Sequence, residues 1–290
     1  MISEPQRAYV LELLLTLGPA AGHFVLAGAQ AMKFMLPSAR ATRDFDFVLD
    51  VLALRNLDFS LRGALRSLGY AALPEARNFQ FQKKIPHSTE VMRIEFMGPE
   101  EYQQKGDIRV EVQEGIHARA CTAATIALLE SDQHQIGGFL PSGEPARACV
   151  RVIRPNALVL MKCLAMDDRY QNLRGEQHAE HDRNEARIHA GDIVAVVSAQ
   201  PRLDQFRARF FNQFEASPAL QERLPRILRR YFADETKPGF LLYEELLAMK
   251  RAPEETARIG SELRRARQLL AALAGPLETQ SRWPPSEGGL

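Results

Sequence analysis

Cysteine is scarce and poorly placed for chemistry. Cys121, Cys149 and Cys163 are the only three in 290 residues, an odd number without CxxC or cysteine–histidine spacing. That excludes a disulfide framework and a structural zinc site of ordinary pattern, and it suits a reducing compartment. Long apolar runs are lacking too, since no stretch reaches the roughly 20 uninterrupted apolar residues of a membrane helix. The leucine-rich segment Tyr9 to Leu17, with Leu26-Ala27-Gly28-Ala29 behind it, imitates an export signal. Glu4 and Glu12 spoil both its basic and its apolar region. A cytoplasmic protein with no membrane attachment is expected. Charge of one sign is also missing: 37 Lys and Arg against 36 Asp and Glu leave +1. Global charge therefore gives no sign of nucleic-acid or anionic-membrane binding, although the excess of arginine over lysine leaves room for a local basic surface.

What is present is ordinary globular material. Hydrophobic residues make up 46% and charged residues 25%, which argues against disorder. The length suffices for one large domain or two modest ones. Helical spacing runs from Pro5 to Leu17 and ends at Leu17-Gly18-Pro19. His23 to Ala27 reads as a buried strand, Gly28 breaks it, and Ala29 to Leu36 reads as a helix stopped by Pro37. Arg43 to Asp50 alternates polar and apolar residues like a strand. A helix is expected from Leu54 to Leu68, and strands at Phe79–Ile85, Val91–Met97, Ile108–Val112 and Cys149–Ile153. Gly137 to Pro145 reads as a loop. From Asn156, a plausible N-cap, the pattern is helical to about Ala274. The expected class is α+β: a mixed sheet with flanking helices over residues 1–154, a helical part over 155–278, and a flexible tail over 279–290.

Chemistry concentrates at Asp44-Phe45-Asp46. A strand's period of two puts both carboxylates on one face. Two adjacent carboxylates repel unless a cation lies between them, so the pair is a natural seat for magnesium, which prefers hard oxygen ligands. A third carboxylate for a two-metal arrangement must come from a neighbouring strand. Glu95 in Arg93-Ile94-Glu95-Phe96-Met97 is favoured, and Glu111 in Arg109-Val110-Glu111-Val112 is the rival. Ahead of the pair, a strand–Gly28–helix turn would let backbone approach a phosphate and offer it free N–H groups, including that of Ala29. Arg40 and Arg43 could steer phosphates or pair with Asp44 or Asp50. Lys162 lies in an apolar helix where burial without a partner is costly. His178, His181 and His189 lie in or just beyond the very polar stretch Arg174 to Arg187, better read as solvated than as a metal site. The arginines from Arg223 to Arg267 read as solvated helix faces.

Gly28 followed by Arg40-x-Thr42-x-Asp44-Phe45-Asp46-Phe47-Val48 resembles the core motif of the AbiEii-type branch of the DNA polymerase beta-like nucleotidyltransferases. The stretch Pro155-Asn156-Ala157-Leu158-Val159-Leu160-Met161-Lys162-Cys163-Leu164-Ala165, with Asp182 and Asp192-Ile193 beyond it, is similar to further elements of that family. The chain departs from the pattern in carrying Gly28-Ala29-Gln30 where Gly-Gly or Gly-Ser is usual, and Glu95 where Asp is more common. The resemblance implies a toxin-like enzyme that moves a nucleotidyl group from a nucleoside triphosphate to an acceptor hydroxyl. Asp44, Asp46 and Glu95 would hold Mg2+. Gly28, Ala29, Arg40, Thr42, Arg43 and Lys162 would contact the nucleotide. The acceptor could be tRNA, another RNA, a protein or a small molecule, and a cognate antitoxin could be the partner. The alternative is a member of the same fold that binds a nucleotide or a partner without catalysis.

Overall fold

In the computed structural model the described residues are 2–36, 39–40, 42–73, 76, 78–86, 88–103, 107–171, 175–213, 217–250 and 256–274. The helix stop expected at Pro37 and the tail expected over 279–290 lie outside them.

The first helix, α1 (Gln6–Leu17), buries Tyr9, Val10, Leu13, Leu14 and Leu17. A 3-10 turn leads into β1 (Phe24–Ala27), whose four residues are all buried. Then follow α2 (Gly28–Met35) and β2 (Asp44–Leu49). The single helix expected from Leu54 to Leu68 is two short ones, α3 (Val51–Arg55) and α4 (Leu61–Ser67). Local capping accounts for the difference. The Asp50 side chain accepts from the Ala53 N–H at 3.1 Å, and Ser60 Oγ accepts from the Gly63 N–H at 3.0 Å. Two separate N-caps define two separate starts.

The strands β3 (Ala71–Ala72), β4 (Gln80–Lys84), β5 (Val91–Pro99), β6 (Arg109–Gln113) and β7 (Ile116–Cys121) come next. A short helix, α5 (Ala124–Leu129), precedes β8 (Ser131–Phe139) and β9 (Pro145–Ile153). The region expected as a loop from Gly137 is thus mostly hairpin, with Phe139 paired to Pro145 at its end. Among the described residues, nine strands form one mixed sheet in the order β3-β4-β5-β2-β1-β9-β8, with β7 added to β5 and β6 to β7. One face of its centre is filled by Phe24, Phe45, Phe47, Phe81 and Phe96. Phe24 meets Phe47 and Phe96 edge-on with centroids 5.9 Å apart, a favourable aromatic geometry.

From Pro155 onward the described chain is helical: α6 (Pro155–Gln171), α7 (Glu176–Ser198), α8 (Leu203–Asn212), α9 (Pro218–Phe232), α10 (Pro238–Lys250) and α11 (Thr256–Ala274). Asn156 is not the cap of α6. It sits buried in the first turn, donating to Glu130 Oε2 and Gln213 Oε1 at 3.0 Å each. The polar stretch read as solvated forms the start of α7, and two of its charges are buried: Asp182 pairs with Arg169 at 3.2 Å, and Arg187 with Glu180 and Glu245. The arginines of α9 also do more than face solvent. Arg223 and Arg230 reach the buried Asp167 of α6, which accepts from Tyr231 Oη at 3.0 Å. On α7, Gly191 admits α10: a Cβ there would lie 2.3 Å from Leu246 Cδ2. One continuous core runs from the sheet into these helices.

Candidate active site

Register brings the key side chains together. The strands β2 and β5 run parallel with Asp44 opposite Arg93 and Asp46 opposite Glu95. Paired residues on neighbouring strands share a face, so Asp46 and Glu95 stand side by side. The row continues both ways: Ala27 of β1 lies opposite Asp46, and Gln80 of β4 opposite Glu95. Phe45 and Phe47 point to the other face and anchor the strand in the aromatic core. Glu111, the rival third carboxylate, is exposed on β6, which pairs with β7 and not with β2 or β5. The structure therefore puts Glu95, and not Glu111, beside the Asp pair.

At the end of the row the chain turns at Gly28 into α2. Gly28 has φ +62°, and a Cβ built on it would lie 1.7 Å from Asp46 Oδ2. The Asp46 carboxylate thus lies against the backbone that opens α2, in space that any side chain at position 28 would take. No side chain caps that helix start, so its first N–H groups, Ala29 among them, are available to an anion. The departure at Gln30 has a structural reason: its buried amide donates to the Thr42 carbonyl at 2.8 Å, fixing the approach to β2. Thr42 Oγ1 accepts from the Asp44 N–H at 3.3 Å.

The opposite wall comes from α6 and α7. Lys162 and Asp192 are both buried, with Nζ 2.8 Å from Oδ2, while Arg40 Nε meets Asp192 Oδ1 at 3.3 Å. Burial pushes the Asp192 carboxyl up, but Lys162 and Arg40 together outweigh it and hold the group below its usual range. Next to them, burial drives the His189 imidazole well below its usual range, with Lys162 adding to the effect. Lys162 also stabilises the ionised Asp46 electrostatically. Neither arginine of the lead-in pairs with Asp44 or Asp50: Arg40 is bound to Asp192, and Arg43 Nη2 to Glu90 at 2.6 Å.

The acidic row is poorly solvated, and its nearby cations do not outweigh that burial. Burial, and then the neighbouring Glu95, raise the Asp46 carboxyl from 3.8 to about 6; Asp44 is raised chiefly by burial. Such crowding of hard oxygens fits magnesium. Glu95, however, is engaged on both oxygens, Oε1 by Arg119 Nε at 2.7 Å and Oε2 by Gln80 Nε2 at 2.6 Å. Accordingly, among the described residues no three His, Cys, Asp or Glu side chains converge as a ready-made metal cage. The donor set suits a cation that takes part of its shell from groups other than these side chains.

Residues 10–252 match the family described as Nucleotidyl transferase AbiEii toxin, Type IV TA system. The chain belongs to this AbiEii family. Its resemblance in the Gly28 and Asp44-x-Asp46 motifs and its match over most of the chain agree. JHP933 from Helicobacter pylori, a solved structure, is similar at 13% identity with a TM-score of 0.33, covering 94% of this chain and 96% of that one. No curated protein matches. Among the described residues of this AbiEii-family protein no helix is long and apolar enough to cross a membrane. Sequence reasoning missed Gln80 and Arg119 as neighbours of the site, and it read His189 as solvated where His189 lies half-buried beside Lys162 and Asp192; the period of β5 marks Glu95, but nothing local marks the residues that grip it.

Proposed function

We propose that the protein catalyses magnesium-dependent transfer of a nucleotidyl group from a nucleoside triphosphate to an acceptor hydroxyl, releasing pyrophosphate. The observation that carries this reading is the seating of the Asp46 carboxylate in the Cβ space of Gly28, at the uncapped start of α2 and one strand from Glu95. That geometry supports a reading in which cation ligands and phosphate-binding N–H groups share one spot. Asp44, Asp46 and Glu95 would hold magnesium, which when bound neutralises the triphosphate and polarises the reacting phosphoryl group. The N–H groups of Gly28 and Ala29 would orient the phosphates. Glu95 would either help hold a second metal ion or serve as the base that takes the acceptor proton, as the new oxygen–phosphorus bond forms at the α-phosphorus and the bond to pyrophosphate breaks. Lys162, already electrostatically coupled to Asp46, would lower the negative potential against which the pyrophosphate charge develops.

The acceptor we favour is RNA, tRNA foremost. Membership of a toxin family of the toxin–antitoxin kind supports an antitoxin as partner and the cytoplasm as the place of action. Incubation with each α-32P-labelled nucleoside triphosphate, magnesium and total cellular RNA should label a tRNA-sized band and release pyrophosphate. Asp44→Asn with Asp46→Asn should abolish both while leaving the fold intact. Binding of the nucleotide without pyrophosphate release, over a full panel of acceptors, would favour the non-catalytic reading instead.

A further inference from the structure

Glu95 is the one carboxylate of the acidic row that is already satisfied. Its two oxygens are held from two different strands, by Gln80 of β4 directly opposite it and by Arg119 of β7. Arg119 reaches it because β7 continues the edge of β5, with Arg119 opposite Met97, two residues along from Glu95 and on the same face. The Arg119 side chain is 45% exposed and Glu95 only 20%, so the guanidinium borders solvent on a side where the carboxylate does not. Glu95 keeps lone pairs for a cation, but a divalent ion bound there would stand against the Arg119 guanidinium, and the two positive charges repel.

Resting on the nucleotidyl-transfer reading above, we propose that Arg119 is a positioning residue with two alternating partners. Without substrate it clamps Glu95; when magnesium and the triphosphate enter, it releases Glu95 to the cation and turns its guanidinium to a substrate phosphate. The phosphate-bearing partner follows from the chemistry: a planar fork of donors that leaves one carboxylate is matched by another doubly oxygenated anion. Arg93, opposite Asp44 on the same face, gives this rim a second cation. Gln80 stays behind as the neutral half of the clamp and keeps Glu95 oriented.

The exchange makes opposite predictions for two titrations of the full-length protein. In Arg119→Ala, Mn2+ alone, followed by its paramagnetic resonance signal, should bind about two- to five-fold more tightly, because a competing partly exposed ion pair is gone. The affinity for a non-hydrolysable nucleoside triphosphate at saturating Mg2+ should fall about tenfold, because a charge-assisted contact to phosphate is lost. Arg119→Lys should restore part of the nucleotide affinity. Circular dichroism and urea unfolding of each variant report whether the fold is kept. Loss of both affinities in a folded Arg119→Ala protein, or no change in either, overturns the exchange. Failure of the unaltered protein to bind magnesium and nucleotide at all would instead sink the nucleotidyl-transfer reading on which it rests.

Discussion

Replacing Gly28 by alanine isolates the contact on which the active-site reading depends. Two costs arise, and they can be separated. The backbone at Gly28 is left-handed, φ +62°, which costs an L-residue about 1–2 kcal/mol. The added Cβ would also lie 1.7 Å from Asp46 Oδ2 and 2.7 Å from its Cγ, where ordinary contact begins at 3.4 Å. The carboxylate must therefore rotate away, at a further ~1–2 kcal/mol of rotamer strain and lost packing. Gly28→Ala should lower stability to urea by ~2–4 kcal/mol in total. Displacing the carboxylate by more than an ångström should also cut nucleotidyl transfer by about a hundredfold or more. A double-mutant cycle on stability assigns the parts. In an Asp46→Ala background the obstructing carboxylate is absent and only the Cβ contact at 3.1 Å remains, so Gly28→Ala should cost little more than the backbone share. Equal costs in both backgrounds would refute the contact as the reason for glycine.

Three further outcomes are expected. Glu95→Gln should slow transfer by orders of magnitude while sparing most nucleotide affinity, whereas Glu111→Gln, on a strand that does not touch β2, should leave both rates and affinities near those of the parent. Asp192→Asn should destabilise by ~3–5 kcal/mol by stranding the buried Lys162 ammonium, and Lys162→Met by less, because Arg40 still pairs with Asp192; the double variant, unfolded in urea, should cost clearly less than their sum. Stability without metal should decline as pH rises between 3.8 and about 6, because across that window the folded Asp46 carboxyl keeps a proton that the unfolded one has lost. The decline attributable to this group is at most about 3 kcal/mol. Asp46→Asn should remove it, and urea titrations from pH 4 to 8 with chelator present would measure it.

Much of the fold was legible because it is written in local pattern. The Gly18-Pro19 stop, the apolar β1 and the alternation of β2 each act over a few residues. What escaped was structure whose apolar signal is weak or comes from elsewhere. Strand β7, Ile116-His117-Ala118-Arg119-Ala120-Cys121, turns Ile116 and Ala118 inward, and small residues carry little hydrophobic contrast. Strand β8 is mostly polar, with Ile136 its one buried residue; it is specified by the long hairpin with β9 and by the packing of α1 upon it. The break between α3 and α4 was hidden because the leucines on either side continue a helical spacing across two caps.

The site divides along the same line, and the division says how it is built. Asp44 and Asp46 are adjacent in sequence and were visible as a pair. Their relation to Glu95 depends on parallel pairing across the intervening α3, α4, β3 and β4, so strand spacing favoured Glu95 over Glu111 and the tertiary register decides between them. The helical half reveals most. Lys162 was singled out because an apolar helix should not bury a lysine alone, and it does not: Asp192, a helix away, is its partner. Asp192 in turn holds Arg40, while Gln30 of α2 holds Thr42. Both ties end on the short lead-in that sets the start of β2, and so the position of Asp44 and Asp46. The helices after Pro155 therefore fix the acidic strand from its N-terminal side. A change at Asp192 should move the carboxylates as well as Lys162. Lys162, expected from the resemblance to contact the nucleotide, is thus first a structural cation, and its electrostatic influence on Asp46 follows from where Asp192 holds it.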